Sequence, residues 1–213
     1  MRVDLVQTMT RDGLRLDGAF QPPAITSTDL GVSAFCLVHG TGGNFYSSTL
    51  FDACAERLLR LGCAVLRVNT RGHDGISTAA LAQGGRRQGA AYEVVDDCRH
   101  DLAAWSDWLS ERVGPRIGLI GHSLGAVKCF YALAQEPRPA VRRLIALSPP
   151  CLSYSWFAAS PQGVEFLVVT VWKSLDAIRS FAGNDVESAV VPDKVQKMMI
   201  EYDRRARHYE LVD

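Results

Sequence analysis

The chain has 213 residues, 47% of them hydrophobic, with 23 Lys+Arg against 23 Asp+Glu. That length fits one domain, or a domain with a small appendage, and the apolar share is enough for a core. Zero net charge offers no electrostatic case for nucleic acid or an anionic membrane, and no 18-residue apolar run exists to span a bilayer.

Residues 1–13 carry acids and polar side chains where a secretory signal needs an apolar stretch, so a cytoplasmic protein is expected. The six cysteines contain no C-x-x-C pair, and several lie inside apolar runs, as buried free thiols do. Residues 3–9 and 14–20 read as two strands around the turn Arg11-Asp12-Gly13. Residues 34–38 (AFCLV) form a short apolar run ending in His39-Gly40, which predicts a buried strand. Residues 49–61 show helical spacing and are closed by Gly62. A further strand is expected over 64–68, a turn over 69–75 and a surface loop over 77–91. A long amphipathic helix follows over 92–113, with Val94, Val95, Leu102, Trp105 and Leu109 on its apolar side, until Gly114-Pro115 stops it. Residues 117–120 predict a strand, 124–134 a helix apolar on nearly every face, and 144–147 another strand. This alternation predicts an α/β fold, a mainly parallel sheet with helices on both faces.

Gly121-His122-Ser123-Leu124-Gly125 is G-x-S-x-G set between a predicted strand and a predicted helix. A serine on such a turn needs small residues two before and two after it, and both are glycine. The turn lifts the hydroxyl to the carboxyl end of the sheet and aims a helix N-terminus at a developing oxyanion. His39-Gly40-Thr41-Gly42-Gly43-Asn44 also follows a strand. Its glycines let backbone N–H groups approach a ligand, which offers the Thr41 N–H as a second oxyanion donor beside the Leu124 N–H. A nucleotide loop is excluded on detail: no G-K-[ST] is present, and Phe45 replaces the third glycine of G-x-G-x-x-G. His39, at the strand end, reads as a structural hydrogen-bonding residue.

With HGTGGN at 39–44, NTRGHDGIS at 69–77 and GHSLG at 121–125, residues 1–160 resemble the α/β-hydrolase superfamily in its serine-peptidase or esterase-like branch. The resemblance implies a Ser–acid–His triad in that chain order, with Ser123 as nucleophile and Thr41 and Leu124 as oxyanion residues. It implies a small-molecule acyl substrate, an ester, amide or thioester, and neither cofactor nor metal. The one histidine downstream of Ser123 is His208, and Asp185 is the best-placed acid before it. A second reading stays open. His208 precedes a strand-like run at 209–212, and little chain separates Pro150 from the next strand. A hydrolase-fold binding protein without a competent triad is therefore the alternative.

Composition changes near residue 162: residues 1–162 hold 16 of the 18 glycines and all six cysteines. Domains are accordingly expected at 1–162, a hydrolase core incomplete at its C-terminal end, and 163–213, a segment joined to it in a fused chain. The tail over about 164–213 resembles the C-terminal half of an antibiotic-biosynthesis-monooxygenase-like domain. The matching features are the strand ending in Trp172, the Ser174-to-Gly183 segment and the His208-Tyr209-Glu210 strand. That resemblance implies a βαβ piece and a homodimer. Architecturally, strands at 166–172 and 208–212 could instead join the open sheet edge by a right-handed crossover. A helix over 195–206 is expected to pack through Val195, Met198, Met199 and Tyr202. Among the other histidines, His73 belongs to a turn at the site rim and His122 to the variable position of the elbow. His100, with Asp96, Asp97 and Asp101, suggests a solvated acidic face and no metal site.

Overall fold

The computed structural model describes residues 3–23, 30–81, 84–147, 165–169, 174–191, 193–196 and 202–208. β1 (Asp4–Met9) and β2 (Arg15–Gln21) form an antiparallel hairpin. Thr10 locks its turn, donating through Oγ1 to Asp12 and accepting from the Leu14 N–H. β3 (Ala34–Val38), β4 (Ala64–Val68), β7 (Ile117–His122), β8 (Val141–Leu147) and β9 (Glu165–Val169) run parallel. They complete a seven-stranded sheet in the order β1-β2-β4-β3-β7-β8-β9. All five residues of β3 are buried, as continuous apolar runs must be when both faces of a parallel sheet are covered.

Helices supply that cover. α1 (Thr49–Arg60) starts at Ser48, whose hydroxyl accepts from the Phe51 N–H, and lays Phe51, Ala55 and Leu58 on one face against Phe35, Leu37 and Val65. α2 (Cys98–Val113) and α3 (Leu124–Gln135) cover the other face, where Trp105 is fully buried among Cys36, Val38 and Leu66. The Trp105 indole donates to the Asn69 carbonyl, so its polar edge is satisfied inside the core. Five cysteines, Cys36, Cys54, Cys63, Cys98 and Cys129, are free thiols, and all but Cys54 are buried. Among the described residues no helix is long and apolar enough to cross a membrane.

Several expectations are corrected. Residues 77–91 are not a plain loop: β5 (Ser77–Ala80) and β6 (Gly85–Gln88) pair as an antiparallel hairpin. The long helix begins at Cys98, not at 92, because two short 3-10 turns at 90–92 and 95–97 use up the preceding chain. β8 starts three residues before the expected 144. The helix expected over 195–206 is limited among the described residues to α5 (Asp193–Gln196). Beyond it, residues 202–208 are not helical, and an isolated antiparallel bridge joins Arg205 to Ser188. Ala189 N–H donates to Arg204 O at 3.0 Å and Ala206 N–H to Glu187 O at 2.8 Å. Met198, Met199, Trp172 and the run at 209–212 lie outside the described residues.

β9 lies in the same sheet as the strands before residue 162, in parallel register with β8 from Arg143↔Glu165 to Leu147↔Val169. α4 (Leu175–Ala182) follows, capped by the Ser174 hydroxyl and ended by Gly183 at φ 85°.

Candidate active site

Ser123 sits between β7 and α3 with φ 54° and ψ −126°, a left-handed conformation that L residues rarely adopt. Its N–H donates to the Leu147 carbonyl at 2.9 Å, so the last residue of β8 pins the turn. The flanking glycines are obligatory. A Cβ on Gly121 would stand 2.5 Å from Ala126 Cα, and one on Gly125 would run into the carbonyl oxygens of Val38 and His39.

The loop after β3 packs directly on this turn. A Cβ on Gly40 would come within 2.8 Å of Ser123 Cβ and 3.3 Å of its hydroxyl. The N–H groups of Thr41 and of Leu124, the first residue of α3, donate to no backbone carbonyl or side chain among the described residues. The loop that carries Thr41 and the first turn of α3 therefore meet beside Ser123 at the carboxyl end of the sheet.

The turn after β4 braces the loop. Asn44 Nδ2 donates to Asp74 Oδ1 at 2.7 Å, the Tyr46 hydroxyl donates to Asp74 Oδ2 at 2.5 Å, and His73 Nδ1 lies 3.0 Å from the same oxygen. The Asp74 N–H donates to Gly43 O. Burial pushes the Asp74 carboxyl up, but the three hydrogen bonds outweigh it and hold the group below the usual range. The Tyr46 hydroxyl is pushed up to about 12, chiefly by its bond to Asp74.

A model of the alpha/beta hydrolase family matches residues 37–209. The chain belongs to this family. The match runs across residue 162 and includes the segment containing Asp185 and His208. No curated protein sequence matches. Among solved structures, an esterase of Pyrococcus furiosus is 25% identical with a TM-score of 0.53, over 70% of this chain and 53% of that one. An a/b serine hydrolase without a lid from Xanthomonas campestris is 20% identical with a TM-score of 0.53, over 80% of this chain and 71% of that one. Est1E of Butyrivibrio proteoclasticus with bound ferulic acid is 24% identical with a TM-score of 0.51, over 68% of this chain and 53% of that one. The chain thus spans about half the length of the first of these.

In this alpha/beta hydrolase, Asp185 and His208 are brought close to each other but face other partners. Asp185 accepts from the Glu187 N–H and lies 3.4 Å from Arg205 Nη1, while His208 Nε2 is 2.7 Å from the Val186 carbonyl. Among the described residues no hydrogen bond joins Asp185 to His208, or His208 to Ser123. No group of three or more His, Cys, Asp and Glu side chains there is arranged to hold a metal ion.

A buried charged layer lies beneath the site, and sequence reading missed it. Asp101 is not on a solvated face: it is fully buried, accepting from the Arg71 N–H, Nε and Nη2 at 2.8, 3.0 and 2.8 Å. Arg71, itself 2% exposed, also reaches Asp12 and Asp97. Burial raises the Asp101 carboxyl in spite of Arg71, whereas the exposed Asp12, bonded to Arg71 and Thr10, falls to about 2 against a weaker pull of the same kind. Lys128 lies inside the apolar α3 with no exposed side-chain surface, 2.5 Å from Glu93 and 3.1 Å from Thr70 Oγ1. One lysine in a helix otherwise apolar all round was the available signal, since such a charge requires a buried partner. His39 accepts at Nε2 from the Thr70 N–H, so its proton is on Nδ1 and donates to Gly40 O at 2.7 Å. Burial, then the charge of Lys128, depresses His39 to about 3, so the ring is neutral. Burial also lowers His122.

Proposed function

We propose that the chain is a serine hydrolase that cleaves an ester, amide or thioester of a small molecule through an acyl-enzyme at Ser123. The observation that carries this reading is the φ of 54° at Ser123 on a strand-to-helix turn, next to the unused N–H groups of Thr41 and Leu124. The Ser123 Oγ attacks the carbonyl carbon, its proton passes to the base, and the carbonyl oxygen becomes the oxyanion held by Thr41 and Leu124. The tetrahedral centre collapses, the leaving group takes that proton, and water repeats the sequence to release the acid. His208 is the base and Asp185 its acid on this reading. Their mutual closeness in the 185–208 segment supports them, and the His208 ring must exchange the Val186 carbonyl for the Ser123 hydroxyl. The segment after residue 162 serves as part of the hydrolase sheet, a reading supported by β9 beside β8.

A second reading is favoured by that same Val186 contact: a hydrolase-fold binding protein whose serine lacks its base. Labelling with a fluorophosphonate and turnover of p-nitrophenyl esters of graded chain length separate the two. The hydrolase reading expects labelling lost in Ser123→Ala, and turnover reduced by about a thousandfold or more in His208→Gln. Labelling without turnover, or turnover indifferent to His208→Gln, would favour the binding protein or a different base.

A further inference from the structure

Lys128 has no role in the reaction above, yet it is fully buried in α3, five residues beyond Ser123. A neutral apolar side chain would fit that helix without the penalty of burying an ammonium. The site around it is built for the charge. Glu93, with only 4% of its side chain exposed, faces the ammonium at 2.5 Å. Gly72 makes room for Glu93, because a Cβ there would run into its carboxyl group.

From Lys128 the hydrogen bonds run in one direction. Nζ donates to Thr70 Oγ1 at 3.1 Å. The Thr70 N–H donates to His39 Nε2 at 3.0 Å, and the Thr70 hydroxyl lies 3.1 Å from the same nitrogen. Lys128 thus holds the Thr70 side chain against the same ring nitrogen that accepts the Thr70 N–H. His39 Nδ1–H then donates to Gly40 O at 2.7 Å. The Gly40 carbonyl and the Thr41 N–H are two ends of one planar trans peptide, so fixing the first fixes the direction of the second. Donation to the carbonyl also polarises the peptide and strengthens its N–H as a donor, and aligned bonds in a dry interior reinforce one another.

We propose that Lys128, held by Glu93, is a positioning residue that acts through Thr70 and His39 to orient and polarise the Gly40–Thr41 peptide as an oxyanion donor. The helix that begins at the nucleophile thereby also sets the loop that faces it. This inference rests on the hydrolase reading of Ser123.

The test uses the full chain and four proteins: wild type, Lys128→Met, Thr70→Val and Thr70→Ser. Thr70→Val keeps the shape of the side chain and leaves the Lys128–Glu93 pair intact, so it remains informative where Lys128→Met fails to fold. Two readouts are taken, the rate of Ser123 phosphonylation by a fluorophosphonate and the amide resonances of Gly40 and Thr41. Thr70→Val and Lys128→Met are expected to slow phosphonylation about tenfold and to shift the Thr41 amide, with Thr70→Ser recovering both. A Thr41 amide unmoved in Thr70→Val, or a rate within about twofold of wild type, would overturn the proposal. Wild-type protein inert to the probe defeats the hydrolase reading instead, and the amide shift still decides whether Lys128 and Thr70 orient this peptide.

Discussion

Gly40 and Ser123 are in van der Waals contact across the site: a methyl group on Gly40 would stand 2.8 Å from Ser123 Cβ and 3.1 Å from the His122 carbonyl oxygen. Neither neighbour is the free end of a flexible side chain, so the loop itself must give way. Gly40→Ala is therefore expected to move Thr41 out of register and slow Ser123 phosphonylation by about 100-fold or more. The melting temperature should change far less than the rate. Equal rates in the two proteins would remove this loop from the reaction.

The strain at Ser123 predicts a gain of stability on replacing it with glycine. A non-glycine residue at φ 54°, ψ −126° carries about 1–3 kcal/mol of strain, against about 0.5–1 kcal/mol of extra chain entropy that glycine loses on folding. Ser123→Gly should therefore raise unfolding free energy by about 1 kcal/mol in urea titration. A destabilised variant would contradict the strained geometry.

Removing half of the buried Arg71–Asp101 pair should be severe. Asp101→Asn leaves a guanidinium with 2% exposure facing a neutral amide, and a loss of about 3–5 kcal/mol is expected in the same titration. Arg71→Met with Asp101→Leu should lose less than Asp101→Asn, since no unmatched buried charge remains and Asp12 and Asp97 can still reach water. The reverse ranking would show that the charges themselves stabilise the fold.

Acid should destabilise the protein in two steps. His39 is depressed from 6.5 to about 3, so the unfolded chain binds a proton that the fold refuses between those values. Stability is fully present above about 6.5 and falls by about 1.4 kcal/mol per pH unit as pH drops toward 3. Asp12, lowered from 3.8 to about 2, adds a further loss as pH falls through that lower window. Thermal melts from about pH 2 to about pH 8 measure both. A flat profile between 6.5 and 4 would mean that His39 is not held neutral by its surroundings.

Much of the fold was legible because its core strands are short, wholly apolar and closed by glycine turns. Ala34–Val38 and Ala64–Val68 match their expected limits. The hairpin at 77–88 was not legible, since Ser, Thr, Ala, Gly and Arg carry no alternating apolar pattern and its pairing is made by backbone hydrogen bonds. The delayed start of α2 was hidden for a similar reason: Tyr92 and Val94 are apolar but exposed, so they mimic helical periodicity without belonging to it. Asp101 misled in the opposite sense. Sequence places a carboxylate among Asp96, Asp97 and His100 at the surface, whereas Arg71, thirty residues earlier, takes it into the core.

From the sequence alone follow the parallel α/β sheet, the glycine-flanked Ser123 and the loop from His39 to Asn44. These depend on local rules: apolar runs that must be covered, and turns in which a side chain other than hydrogen would collide. Tertiary structure decided the rest. It seated Gly40 against Ser123, put the proton of His39 on Nδ1, and paired Lys128 with Glu93 and Arg71 with Asp101. The two ion pairs join residues about thirty positions apart or more, through charges that only a closed core can desolvate, and no periodicity within a single element encodes which charge will meet which.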